Sequence, residues 1–464
     1  MHPREGKAVN TVFYVEDFGA RGNGKTLDTQ PIQDAIDAAH ATGGGRVSLS
    51  PGAIYLCGSL ELRSNVEFHL NVGSVLLASS ELSDYKFTQE GVVQMDEPPS
   101  EHSTALTGSL VFARGARNVS ITGRGTIDGN GHKFVESTSG NRHWPRKNRI
   151  FAIHLIDTAS ILVCDVALVN NALWTMNLSR CDDIVIRGVR INNDVDMPNS
   201  DGINLDACRR ALVSGCNIST GDDAICLKAS IGSTHDGRSC EDIVVSDCIL
   251  RSSSSAVLLG VECVTAIRNV LVSNCIIRDS NRGLAVSLRE QGTIERVRFQ
   301  NILVETRLFD AHWWGRGEPI YVTAAPRNKK VGQIRDVTFR EIFAVSPRGA
   351  FIWADREGSV EDVRISEATI RLTSSSPYEL SSRSDIRPVL ANGVFPDRIA
   401  AIRVHNVKGL AVRGLDVRFE ELPYPEETEV FKVSGVSEVD IGGKLRDSSR
   451  PIVSSESYRT PGLD

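Results

Sequence analysis

Three carboxylates carry the densest chemistry in the chain. Asp201 lies in Asn199-Ser200-Asp201-Gly202, and Asp222 and Asp223 lie in Gly221-Asp222-Asp223-Ala224, 21 residues further on. Alternating apolar residues follow each segment, Ile203 and Leu205 after the first, Ile225 and Leu227 after the second. A period of two specifies a strand with one face on a core, so both acid segments lead into strands. Carboxylates brought close raise one another's pKa, which lets one stay protonated while another is ionised. Such a pair is what glycoside hydrolysis requires: an acid for the leaving oxygen, and a carboxylate that activates water or attacks carbon. The same residues are also good turn formers, and spacing alone leaves both readings open.

The element that must position them is a repeat. One pattern recurs as ITGRGTI from Ile121, LVCDVAL from Leu162, VIRGVRI from Val185, LVSGCNI from Leu212, VVSDCIL from Val244, LVSNCII from Leu271, RFQNILV from Arg298, TFREIFA from Thr338, RISEATI from Arg364 and AVRGLDV from Ala411. Starts are mostly 23 to 32 residues apart, with three gaps of 40 or more where a loop is inserted. Cys216, Cys248 and Cys275 fall at one place in three consecutive repeats. Like residues stacked at one position are the mark of a solenoid, whose coils pair strands with the coils on either side at about 4.8 Å. A sandwich of evenly spaced strands is the alternative; the scarcity of hairpin turn signals favours an all-β, single-stranded right-handed parallel β-helix.

The ends of the chain read differently. Pro31 opens an amphipathic segment to Ala41 that puts Ile32, Ala35, Ile36 and Ala39 on one face, with Thr29 or Gln30 near its cap and Gly43 to Gly45 ending it. This capping helix covers one open end of the coils. The expected organisation is a single domain over 1–464, with an N-terminal cap at about 12–46, coils at about 47–420 and a C-terminal tail at about 421–464, polar from Ser448 onward.

Composition narrows the partners. The chain has 464 residues, 52 Lys and Arg against 58 Asp and Glu, and a formal net charge of −6. Basic runs with interleaved aromatics are lacking, so no nucleic acid partner is expected. No apolar run approaches the roughly 18 residues of a membrane span, and Met1 to Asn10 lacks a signal-peptide core. A cytoplasmic location is expected, or a secreted or periplasmic one if a signal was removed. The ten cysteines sit inside strand patterns without metal-ligand spacing and read as buried free thiols, with no metal and no cofactor expected. A carbohydrate is the expected partner, and oligomeric state is not readable.

The segments Asn199-Ser200-Asp201-Gly202 and Gly221-Asp222-Asp223, with the solenoid text around them, resemble the polygalacturonase family, glycoside hydrolase family 28. The resemblance runs from FGARGNG near Phe18 to at least Ala354, and Ser200 stands where that family has Thr. It implies a pectin-type β-helix and an inverting glycosidase with Asp222 as general acid and Asp201 and Asp223 holding and deprotonating the water. It also implies sugar contacts from Asn199 and from Lys228. Two family motifs are missing. Ser255 stands at an expected histidine, and Ala285-Val286-Ser287 replaces an Arg-Ile-Lys whose cations bind a galacturonate carboxylate. The expectation is therefore a substrate other than plain polygalacturonate, neutral or differently decorated, with Arg289 or Lys228 as substitute cations if the substrate is a galacturonide cut from a chain end.

Aromatic residues supply the remaining candidates. The insertion FDAHWWGRGEPI carries His312, Trp313 and Trp314, and Trp174 lies one coil before Asp201. Exposed aromatic rings on loops stack on the apolar faces of sugars, while core packing is the plain alternative for each. A polysaccharide lyase on this scaffold would need calcium-binding carboxylates beyond the three. A glycan-binding protein without catalysis is the third class.

Overall fold

The computed structural model describes residues 11–86, 107–140, 142–309, 313–327, 330–374, 383–389, 393–420, 429–442 and 454–455. The repeats stack as parallel coils. Leu162 pairs with Val185, Val185 with Leu212, Leu212 with Val244, Val244 with Leu271 and Leu271 with Arg298, and the column continues through Thr338, Arg364 and Ala411. Only the first repeat is out of step: Ser120, not Ile121, pairs with Leu162, because Arg124-Gly125 adds one residue to that corner.

The corner explains why the fourth residue of the repeat is so often Gly, Asn or Asp. Asp165, Gly188, Gly215, Asp247, Asn274, Asn301, Glu341, Glu367 and Gly414 all have φ between +51° and +65°. That left-handed region costs least for glycine and is tolerated by Asn and Asp. The next residue points inward, which stacks Cys216, Cys248 and Cys275 in the core. All ten cysteines are buried free thiols.

Helix α1, Thr29–Ala41, starts two residues before Pro31 and buries Ile32, Ala35, Ile36 and Ala39 completely. Its N-terminal neighbour Asp28 does not cap it; the carboxylate instead accepts the backbone N–H groups of Arg21 at 2.8 Å and Gly22 at 2.9 Å. The helix lies against the first coils, at the strands Gly45–Leu49 and Val66–Leu70. No helix among the described residues is long and apolar enough to cross a membrane. Of the polar tail, Ser454–Ser455 is described, as a strand beside Glu429–Ser434; the remainder of the stretch from Ser448 lies outside the described residues.

Among the described residues, thirteen parallel strands form the face that both acid segments enter. Eight of these matter here: β1 (Arg149–Ile156), β2 (Met176–Ser179), β3 (Ile203–Asp206), β4 (Ile225–Ala229), β5 (Ser255–Cys263), β6 (Arg282–Leu288), β7 (Ile320–Ala324) and β8 (Ala350–Ala354). Their inward residues, such as Ile203, Ile225, Val257 and Leu284, line one core. Their outward residues form a column, His154, Asn177, Asn204, Cys226, Leu258, Ala285, Tyr321 and Phe351, each in register with the next. This column is polar in its first three places and largely apolar afterwards. The apolar part lies beneath an antiparallel hairpin, β9 (Arg383–Asp385) and β10 (Val394–Pro396), which contributes Ile386, Val389 and Phe395 to the same cluster.

Candidate active site

Both acid segments sit where the chain enters this face, Asp201 two residues before β3 and Asp222 and Asp223 just before β4. The two rungs approach so closely that the glycines have steric reasons. A Cβ on Gly202 would lie 2.3 Å from the Ala224 carbonyl, and one on Gly221 would lie 2.3 Å from that of Met197. The Ser200 hydroxyl locks the turn, donating to Met197 O at 2.8 Å and accepting from Gly221 N at 3.0 Å. A hydroxyl is all this bridge needs, so serine serves at that position. Asn193 Nδ2 donates to Ser200 O at 3.0 Å and to Thr175 Oγ1 at 2.7 Å, tying the preceding coil to the same turn.

The three carboxylates are held by donors from different rungs. Asp222 accepts the N–H of Asn199 at 3.1 Å and of Asp223 at 3.0 Å. Asp223 accepts the Ser255 N–H at 3.0 Å, and Asp201 accepts Asn204 Nδ2 at 3.1 Å. The other oxygen of Asp201, Oδ1, is buried without a protein partner among the described residues. Burial pushes all three pKa values up. Repulsion from Asp222 and Asp223 adds to the rise at Asp201, which ends well above the usual carboxylate range. Asp222 is raised to about 7 by burial and by Asp223, against the two backbone N–H groups and Lys228. At Asp223, Lys228, the Ser254 hydroxyl and the Ser255 N–H oppose the rise. A cluster of this kind holds a proton near neutral pH while leaving other oxygens ionised.

Two buried cations sit around the acids. Lys228 Nζ donates to Glu262 Oε2 at 2.7 Å and lies 5.1 Å from the centre of the Trp174 ring. Burial works against its charge, but Glu262 and Asp201 outweigh it and hold its pKa high. Arg149, at the start of β1, donates to Ala172 O at 2.7 Å, Pro198 O at 2.8 Å and Asn199 Oδ1 at 2.9 Å. Its pKa is pushed down to about 10 by burial, with Asp201 and Asp222 pulling it back up, so it stays a cation.

The structure thus brings Asn199, Asp201, Asp222, Asp223, Lys228, Trp174 and Ser255 together. Trp174 is half-buried, against Phe151 at 5.9 Å and under Lys228, on the outer side of the sheet rather than in the main core. Trp313 and Trp314 are half-buried as well, and their loop is pinned through its backbone: Asn281 Nδ2 donates to Trp314 O at 2.6 Å and Arg387 Nη2 to Trp313 O at 3.3 Å. His312 lies outside the described residues.

Arg289 requires a correction. It is completely buried, with Nη1 donating to Leu288 O and Thr323 O and Nη2 to Thr323 Oγ1 and Ile386 O at 2.8 Å. It fastens the β9–β10 hairpin to β6 and does not face the acids as a substitute cation. The site residues that sequence reasoning missed are Arg149, Asn204 and Glu262. A lone arginine opening the apolar run of β1 was a signal for the first; the others join the site only through register.

The sequence profile of Glycosyl hydrolases family 28 matches residues 65–377, about two thirds of the chain. The chain belongs to glycosyl hydrolases family 28. It is therefore a glycosidase by family, on the parallel β-helix found here. A probable polygalacturonase of Vitis vinifera is 27% identical over 82% of this chain and 78% of its own length. An exopolygalacturonase of Zea mays is 26% identical over 53% of this chain and 61% of its own length. In fold, the family 28 exopolygalacturonase of Yersinia enterocolitica superposes with a TM-score of 0.68 at 20% identity, covering 95% of this chain and 79% of that one.

Proposed function

We propose that the chain hydrolyses glycosidic bonds of pectic galacturonides by single displacement with inversion, Asp222 acting as general acid. The carrying observation is the acid trio itself: three carboxylates on adjacent rungs, with the Asp222 pKa raised to about 7. A carboxyl that keeps its proton near neutral pH can give it to the leaving oxygen. Asp223 then takes the proton of a water held between it and Asp201. Asp201 Oδ1, buried and without a protein partner among the described residues, is open to that water. Lys228 and Arg149 keep the cluster from repelling itself apart.

The missing Arg-Lys pair argued for a neutral substrate, but the relatives give that expectation no support. The structure offers a reason for the loss that has no bearing on substrate charge. Ala285 is wholly buried among Leu258, Tyr321 and Ile386, and Ser287 is buried with its hydroxyl 3.3 Å from Thr323 Oγ1, so neither place can hold a long cation. Restoring Arg and Lys there would overfill the cluster rather than retune the substrate. The β9–β10 hairpin also covers the sheet on this side of the acids, which favours attack near a chain end.

The test is incubation with oligogalacturonides of defined length. Reducing ends should appear with wild type and vanish with Asp222→Asn, with mono- or disaccharide as the first product. A wild-type rate in Asp222→Asn would remove this residue from the mechanism, and a ladder of internal fragments would reject chain-end action.

A further inference from the structure

On the side of the acids facing the hairpin, one buried guanidinium is poorly satisfied. Arg282 is 4% exposed, yet among the described residues its five N–H donors make one hydrogen bond, from Nη2 to Asp385 O at 3.4 Å. Its Nε is buried without a hydrogen-bond partner, and the nearest carboxylate oxygen, Glu318 Oε2, stands off at 3.8 Å while accepting the Arg316 N–H at 2.8 Å. Buried arginines ordinarily have their donors paired.

The surroundings hold this guanidinium in place. It lies 3.9 Å from the centre of the Tyr321 ring, whose hydroxyl is anchored on Asp385 O at 2.9 Å. Gly315, at φ +106°, leaves open the space that Arg282 fills: a Cβ there would come within 2.7 Å of Nε. Thus the Trp313-Trp314-Gly315 insertion presses backbone, not side chain, onto Arg282. Tyr321 is the register partner of Ala285, so the arginine stands over the patch that the small Ala285 side chain leaves free.

Position relative to the acids completes the case. Ser255, whose N–H binds Asp223, is the register partner of Arg282. The guanidinium therefore stems from two rungs beyond Asp223, about 10 Å along the sheet at the spacing of neighbouring strands. That is the reach of one sugar residue from the scissile bond.

We propose that Arg282 binds a carboxylate of the substrate and sets the preference for an acidic sugar beside the bond that is cut, a role that rests on galacturonide hydrolysis by the acid trio. A carboxylate would supply the paired acceptor that a planar fork of donors takes best. Arg282 acts as a specificity-determining residue, and the insertion and hairpin preorganise it.

The experiment compares kcat/KM for an oligogalacturonide and for its methyl ester, which keeps shape and loses charge. Wild type should prefer the free acid by at least about 30-fold; Arg282→Gln should bring the two substrates within a few-fold of each other, and Arg282→Lys should fall between. Retention of the wild-type ratio in Arg282→Gln overturns the proposal, as does wild-type preference for the ester. Wild type that cleaves neither substrate removes the galacturonide reading underneath it instead. Should Arg282→Gln fail to fold, inhibition of the wild-type enzyme decides: free galacturonate should inhibit more strongly than its methyl ester, and equal inhibition contradicts an arginine that binds the carboxylate.

Discussion

Two groups of buried aspartates lie along one sheet and titrate in opposite directions. Asp201, Asp222 and Asp223 are pushed up by burial, and Asp201 and Asp222 further by neighbouring carboxylates. Asp385, which ends β9, and Asp397, which follows β10, are pulled below the usual range although burial opposes this. Asp385 meets Arg387 at 2.7 Å and Arg316 at 3.3 Å; Asp397 meets Arg403 at 3.3 Å and Lys432 at 3.2 Å. The residue type is the same, and in both groups burial favours the neutral acid. What differs is the count of cations in contact, so the scaffold can store a proton in one place and a permanent negative charge in another. The first suits acid catalysis, the second holds a loop down.

The sharpest way to break the comparison is to neutralise one aspartate in each group. Asp222→Asn should lower kcat by about 10²- to 10⁴-fold, the range lost with a general acid, while raising the melting temperature at pH 7 to 8. The sign follows from linkage. Raised folded-state values mean that the native protein binds more protons than the unfolded chain between about pH 4 and 7, so the trio costs stability as pH rises through that window. Relief by Asp222→Asn should fade towards pH 4. Wild-type melting at pH 8 in this variant would show that the trio does not repel itself.

Asp385→Asn should do the reverse, losing about 3 kcal/mol in denaturant unfolding because the buried Arg316 and the half-buried Arg387 lose their partner. Its lowered value means that the stabilisation is present at neutral pH and disappears as the protein is acidified below about pH 4. Equal stability of Asp385→Asn and wild type at pH 7 would deny the hairpin its ionic anchor.

Much of this was legible beforehand, for reasons that differ from place to place. The coils could be read because the left-handed corner selects Gly, Asn and Asp, as at Gly188, Asn274 and Asp247, and because the next residue always faces the core. Asp201, Asp222 and Asp223 could be read because close rungs force glycine beside them, at Gly202 and Gly221. The hairpin and Arg282 could not be read. Arg282 and Asp385 are 103 positions apart, and no local pattern announces a contact made by an inserted loop. Arg289 misled because nearness in sequence to Ala285 said nothing of the carbonyls waiting at Thr323 and Ile386.

Smaller effects sharpen the picture of the acid side. Lys228→Met removes a charge that lowers the pKa of all three acids. The alkaline limb of the pH profile of kcat should therefore move up, by on the order of one pH unit, and an unmoved limb would separate Lys228 from the cluster. Trp174→Ala should raise KM by several-fold through the loss of a stacking surface, equivalent to about 1 kcal/mol. A change in kcat alone would place Trp174 in positioning the acids and not in holding sugar.

The claim at the centre is that three acids on adjacent rungs place a water for direct displacement at the anomeric carbon. Proton NMR of the first-formed product, recorded before mutarotation, reads this directly. The account predicts the anomer opposite to that of the bond cleaved. A retained anomer would mean a covalent intermediate on one of the aspartates and would contradict the water-holding roles of Asp201 and Asp223.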